Sequence, residues 1–329
     1  MPGQFINAVA KKENNLFCRI LSDLITEKEG PQLQNKHLLI QLLILKIYHP
    51  NDFQAIPGGH SNDTYFYREE NLVLRFPKAY NPFFPELSIE IQNLHSAQLL
   101  NLTPLKTIAY YEKYSVLVTE FIPNYQSLTI KDFKNPAKLM ALAHLIKKLH
   151  YSTFNFKKNT ETAMAVIDKS SQCFHTIQPI LSKKDHSILK KLLGIKNFLE
   201  KSYYPKLPAH GDLHHFNVIE INGQLQLMDW ELSSLEDPAY DISRLFCVTR
   251  FNSAQKEIFF KTYSYVGHPI LSEDEIKNLI KRVFLYESLN NFSIVIWSKY
   301  AMPYVYDDQQ HLLTDTIVNF SQQDKLIDY

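Results

Sequence analysis

Apolar residues recur every three to four positions over Phe17–Glu29 and Leu38–Tyr48, which predicts two helices, the second ended by His49-Pro50-Asn51-Asp52. The texture then changes. Phe53–Tyr67 and Asn71–Phe76 are short, aromatic and β-branched, with polar residues at Arg68–Asn71 between them, and this pattern predicts a hairpin. Helical spacing returns over Ser88–Leu100. Thr107–Tyr111 and Ser115–Glu120 then predict a second strand pair around Glu112-Lys113. Beyond Pro136 helices dominate, over Ala137–His150, Ser187–Tyr203, Ala254–Val266, Glu273–Asn290 and Gln309–Phe320, with one β island at His210–Trp230. Pro123 and Asn124 mark a turn where the texture switches. The order predicts an α+β protein: a helical N-terminal extension over residues 1–50, a small, mostly antiparallel β lobe with one helix over 51–120, and a large helical lobe over 121–329.

Composition narrows the function classes. The 329 residues are 45% hydrophobic and 13% aromatic, enough for a large core and too apolar for long disorder. With 35 Lys+Arg against 34 Asp+Glu, the formal charge of +1 removes the electrostatic case for generic nucleic-acid binding. Cys18, Cys173 and Cys247 are too few and too far apart for a disulfide framework or a zinc-type pair, so a reducing compartment is the plain reading. The N-terminus lacks a secretory pattern, and the apolar stretch His37–Tyr48 is too short to span a bilayer. The chain reads as soluble and cytoplasmic, with export through an unrecognised signal as the alternative.

The densest polar cluster is Pro208-Ala-His-Gly-Asp-Leu-His-His-Phe-Asn-Val218, followed by Leu227-Met-Asp-Trp-Glu231. Between them Val218–Met228 reads as strand, Asn222-Gly223 turn, strand. Ile219 and Ile221 share one face of the first strand, and Leu225 and Leu227 one face of the second. Pairing these apolar faces demands an odd-numbered loop, because a slip of one residue flips every side chain. That register brings Asn217 and Asp229 out on one face at the open end of the hairpin. An amide oxygen and a carboxylate converging there suit Mg²⁺, which binds one or two carboxylates plus substrate phosphates. Asp212, five residues before Asn217, is then placed to face a substrate hydroxyl.

These residues carry a resemblance. His210-Gly-Asp-Leu-His-His-Phe-Asn217, Met228-Asp-Trp-Glu231 and Asp237-Pro-Ala-Tyr-Asp241 resemble the aminoglycoside phosphotransferase/choline kinase family, and within it the bacterial choline kinase and thiamine kinase branch. Pro57-Gly-Gly-His-Ser-Asn62 and Asn71-Leu-Val-Leu-Arg-Phe-Pro77 extend the resemblance upstream, so that it covers about residues 53–300. It implies a two-lobed protein-kinase-like fold and ATP- and Mg²⁺-dependent phosphorylation of a hydroxyl on a small molecule. By the same resemblance Asp212 is the catalytic base, Asn217 and Asp229 are the Mg²⁺ ligands, and Arg75 contacts the phosphates with Glu90 as its ion-pair partner. Gly58 and Gly59 open the nucleotide loop, Glu120 to Ile122 form the hinge that meets adenine, and His210 and Asp241 hold the catalytic loop. Three departures stand out: a loop short of glycine at Gly58-Gly59, His215-Phe216 where Pro-Gly is common, and Arg75 where Lys is commoner.

Acceptor choice rests on aromatic and acidic residues. Trp230, Tyr240, Tyr286, Trp297 and Tyr300, with Glu231 and Glu287 nearby in sequence, suggest a box for a quaternary ammonium, so choline is the first expectation. Trp230 or Trp297 is the expected contact, the rest being core. Aminoglycoside, thiamine and ethanolamine are the alternatives of the same class. A nucleotide-binding pseudokinase-like module without transfer is the alternative of another class. His210, His214 and His215 also invite a zinc-hydrolase reading, but Gly211 interrupts them and no glutamate base appears in an HExxH arrangement.

Overall fold

The computed structural model describes residues 53–56, 62–68, 71–77, 87–111, 116–153, 156, 183–202 and 204–301; the helices predicted over Phe17–Glu29, Leu38–Tyr48 and Gln309–Phe320 lie outside them. Strands β1 (Phe53–Ile56), β2 (Asn62–Tyr67), β3 (Leu72–Pro77), β4 (Thr107–Tyr111) and β5 (Val116–Glu120) form one antiparallel sheet in the order β1-β2-β3-β5-β4. The predicted first hairpin is thus three strands, with β1 added at the edge. The period of two along β3 sorts its side chains. Leu72 and Leu74 pack with Tyr67, Val116 and Val118. Val73 and Arg75 turn to the opposite face, where Thr64 and Thr119 are their cross-strand neighbours.

Helix α1 (Leu87–Leu99) buries Glu90, Asn93, Leu94 and Ala97, a stripe at i, i+3, i+4 and i+7. Its stripe does not stay within the small lobe. Leu94, Ala97 and Leu102 belong to the same apolar core as the helices that follow. The Asn93 Nδ2 donates to the Ser233 carbonyl at 2.8 Å, and the Leu227 N–H donates to the Leu102 carbonyl at 2.7 Å.

The large lobe begins with β6 (Gln126–Ser127) and α2 (Pro136–His150), whose N-terminus is set by the Asn135 side chain accepting from the Ala137 N–H and by Pro136 at the first turn. It continues through α3 (Lys183–Lys201), β7 (Leu207–Ala209), β8 (Val218–Ile221), β9 (Gln224–Leu227), β10 (Ser234–Glu236), α4 (Pro238–Thr249), α5 (Ser253–Tyr265) and α6 (Glu273–Ala301). Two small sheets, β6-β8-β9 and β7-β10, carry the polar cluster between them. Buried Lys147 on α2 donates to the Val266 carbonyl at 2.9 Å, satisfying the end of α5 and fixing the two helices together. No helix among the described residues is long and apolar enough to cross a membrane.

Helix α4 has no counterpart in the sequence reading, although its start is written in the chain: Asp237 caps it by accepting from the Ala239 N–H, and Pro238 occupies the first turn. The hairpin register is also corrected. Ile221 pairs with Gln224 and Ile219 with Gln226, so the loop is the two residues Asn222-Gly223, at φ 50° and 77°. Asn-Gly adopts this left-handed pair readily. The apolar-face argument fails because Val218 and Ile219, adjacent and on opposite faces, are both buried. Both faces are covered at the open end, so alternation there does not choose a register.

Candidate active site

The loop between β7 and β8 is built around Asp241. From the first turn of α4 this fully buried carboxylate accepts the His210 N–H at 2.6 Å and the Gly211 N–H at 2.8 Å. His150, at the end of α2, meets it at 3.2 Å and meets the Tyr263 hydroxyl at 2.7 Å. Burial alone would raise the Asp241 carboxyl, but these partners outweigh it and hold the group low. The His210 ring bonds the Met228 carbonyl through Nε2 at 2.7 Å, and the Ser233 hydroxyl donates to the His210 carbonyl. Gly211 sits at φ 82°, where a Cβ would lie 2.1 Å from the Leu232 carbonyl oxygen, so no side chain fits.

This scaffold presents Asp212. Arg244, one turn past Asp241 on α4, donates through Nε and a terminal nitrogen to Asp212 Oδ1 at 3.0 and 2.8 Å. His214 lies 3.3 Å from the other oxygen. Burial pushes the Asp212 carboxyl up, yet His214 and Arg244 outweigh it and hold the group well below the usual carboxylate range. The Asp212 carbonyl in turn accepts from Asn217 Nδ2 at 2.9 Å. With the amide nitrogen so engaged, the Asn217 oxygen is the free acceptor end.

Asn217 and Asp229 both line one cavity of about 320 Å³ between the lobes, with Arg75, Glu120, Ile122 and Tyr125. They meet there by a different route from the face-sharing register of the sequence reading. The Met228 N–H donates to the Asn217 carbonyl, and Asp229 turns out of the strand in a left-handed conformation at φ 63°. Such a backbone costs an L residue about 1–2 kcal/mol. Asp229 Oδ1 is buried with no hydrogen-bond partner; among the described residues the cation beside it is Arg75, 3.9 Å away. An orphaned carboxylate oxygen beside an amide oxygen is a donor set suited to a hard divalent cation.

Arg75 is the hub of the small-lobe side. It bonds Glu90 at 2.6 Å and lies 3.7 Å from Glu231. Burial disfavours its charge, but Glu90, Asp229 and Glu231 outweigh burial and hold the guanidinium protonated. Glu90 and Glu231 are both pushed up by burial, with Arg75 opposing. One Arg shared by three carboxylates leaves this corner rich in negative charge, which a bound divalent cation would offset.

The acceptor-side expectations separate. Trp230 has no exposed surface; its ring stacks on Phe156 and lies 5.0 Å from His210, so it is a core residue. Tyr286 is 1% exposed and packs edge-on against Tyr240, again core. Glu231 faces Arg75, on the small-lobe side. Trp297 falls in α6, and its side chain, like that of Tyr300, lies outside the described residues, as do Gly58 and Gly59. Glu287 differs: it lines a second cavity of about 840 Å³ formed by α4, α5 and α6. Cys247, one turn beyond Arg244 on α4, lines it too. Asn291 and Ser264 line it as well. Arg244, His150 and this cavity were not anticipated. Arg244 is 32 residues from Asp212, and only knowledge of α4 could have placed it.

The comparisons agree with this geometry. The model of the family described as choline/ethanolamine kinase matches residues 115–310. A LicA homolog of Mycoplasma capricolum subsp. capricolum is 25% identical over 257 residues, 74% of this chain and 87% of the relative. Among solved structures, choline kinase LicA from Streptococcus pneumoniae superposes with a TM-score of 0.67 at 19% identity, covering 87% of this chain and 99% of that one. A LicA structure in complex with AMP gives the same TM-score at 18% identity, covering 89% and 99%. With more than half its length matched by the family model, and with the antiparallel small lobe and helical large lobe of the protein-kinase-like fold, the chain belongs to the choline/ethanolamine kinase family of small-molecule kinases.

Proposed function

We propose that this protein transfers the γ-phosphoryl group of ATP, with Mg²⁺, to the hydroxyl of a small cationic alcohol, choline foremost. The observation that carries the reading is the meeting of Asp229, its Oδ1 buried and orphaned, with Asn217 and Arg75 in one inter-lobe cavity beside Asp212. The AMP-bound LicA structure supports the nucleotide, and the family match and the choline kinase LicA structure support the acceptor.

Asn217 and Asp229 would hold the Mg²⁺, which when bound offsets phosphate charge. Arg75, kept in place by Glu90, neutralises the remaining phosphate charge. Glu120 to Ile122 line the end of the cavity where adenine would lie. Asp212 receives the acceptor hydroxyl through a hydrogen bond and aligns its oxygen for in-line attack. A carboxylate held so acidic by Arg244 and His214 orients first and takes the proton late, as the oxygen becomes bonded to phosphorus. The acceptor occupies the cavity past Arg244, with Glu287 and the aromatic wall around Phe246 facing its cation. The division at residues 1–50, 51–120 and 121–329 belongs to the same proposal.

ATP consumption with choline, ethanolamine, thiamine, homoserine and aminoglycosides, each with and without Mg²⁺, tests it. Metal-dependent turnover highest with choline is the expected result. No turnover with any of the panel would leave the reading without support.

A further inference from the structure

The cavity beyond Arg244 holds a cation of the protein's own. Lys256, in the first turn of α5, extends its ammonium to Glu287 Oε1 and across the ring of Phe246, 5.3 Å from its centroid. The Glu287 side chain is 7% exposed and that of Lys256 31%, so the carboxylate is sunk and the lysine reaches down to it from the rim. Burial pushes the Glu287 carboxyl up, and Lys256 opposes that rise. Asn291, one turn past Glu287 on α6, and Ser264 on α5 also line the cavity. A buried carboxylate beside an aromatic face makes a receptor for an ammonium group, and Lys256 fills it.

We propose that Lys256 is a displaceable placeholder: the cationic group of the acceptor replaces its ammonium at Glu287 and Phe246, and the lysine swings out to solvent. This rests on the reading that the cavity takes the acceptor. A buried carboxylate stripped of its partner is strongly unfavourable, whereas exchange of one cation for another keeps it compensated. The flexible stem and strongly hydrated ammonium of lysine make it the partner that leaves most readily. An uncharged alcohol of the same shape cannot make the exchange, because it would leave Glu287 alone. Lys256 thereby acts as a specificity-determining residue that selects cationic acceptors against neutral isosteres.

Calorimetric titration of the full chain with choline and with its uncharged isostere 3,3-dimethyl-1-butanol tests this. In Lys256→Met the internal competitor is gone, so choline binds at least ~10-fold tighter than to wild type while the isostere changes little. An equal change for both ligands, or weaker choline binding, overturns the proposal. A second measurement needs no variant: acetylation of the Lys256 amine in the wild-type chain, read by peptide mass spectrometry, rises severalfold at saturating choline. Choline binding with Lys256 labelling unchanged overturns the displacement alone. Wild-type protein that binds no choline overturns the acceptor reading, and this inference with it.

Discussion

At the scale of single residues, two positions in the catalytic loop make opposite demands. Asp212 is, in the proposed mechanism, asked for chemistry. Asp212→Asn keeps the shape of the loop and removes the proton acceptor, so turnover should fall by at least ~10²-fold while nucleotide affinity is nearly kept. Steady-state kinetics beside nucleotide calorimetry separates the two, and near-normal turnover would remove Asp212 from the mechanism. Gly211 is asked only for absence. A Cβ there meets the Leu232 carbonyl oxygen at 2.1 Å, and the φ of 82° disfavours any side chain. Gly211→Ala should therefore displace the loop and lower the unfolding midpoint together with turnover; a variant that melts with wild type and keeps its activity would show that the loop tolerates the shift. His215 carries a pH signature. Burial, helped by the neighbouring His214, lowers its pKa from 6.5 to about 4, and its Nδ1 has no hydrogen-bond partner. The unfolded chain then binds the extra proton between these values. The His215 contribution to stability is fully present above about pH 6.5 and is lost as the pH falls toward 4, by at most ~3 kcal/mol. Urea unfolding at pH 7.5 and 5 should show a smaller drop in His215→Gln than in wild type; equal drops would discount the group.

At the scale of elements, α4 ties the site together. Asp237 caps its first turn and also receives Arg282 of α6, at 2.9 and 3.2 Å, while the guanidinium lies 4.0 Å from the centre of the Tyr204 ring. Asp237→Ala removes the cap and leaves a buried guanidinium uncompensated, which should destabilise the fold by ~3–5 kcal/mol. Asp237→Asn retains a capping oxygen, and chemical denaturation of the pair separates the cap from the charge. If both variants unfold with wild type, the α4–α6 tie is of no consequence to stability. The elements show what a chain reveals locally. The five-residue strands Thr107–Tyr111 and Val116–Glu120, and helices such as Pro136–His150, carry their own period and were legible within a residue or two. Asp212, Asn217 and Asp229 were visible as candidates because one short stretch holds them. What escaped depends on tertiary neighbours: the pairing of Arg244 with Asp212, the burial of Trp230, and a hairpin register settled by Asn222-Gly223 once both faces near Val218 are covered. The start of α4 is a different case, since Asp237-Pro238 is a legible signal that went unread.

At the scale of the whole molecule, the two lobes share more than a boundary. Helix α1 lies in the small lobe by sequence order, yet its buried stripe and Asn93 fasten it to the larger core. Glu90 therefore stays with the large lobe, while its partner Arg75 rides on the sheet. Any tilt of the sheet away from its counterpart stretches a 2.6 Å attraction between two groups with little access to water. The tie works as a return spring between jaw and anvil, so any opening of the cleft would have to work against its recoil.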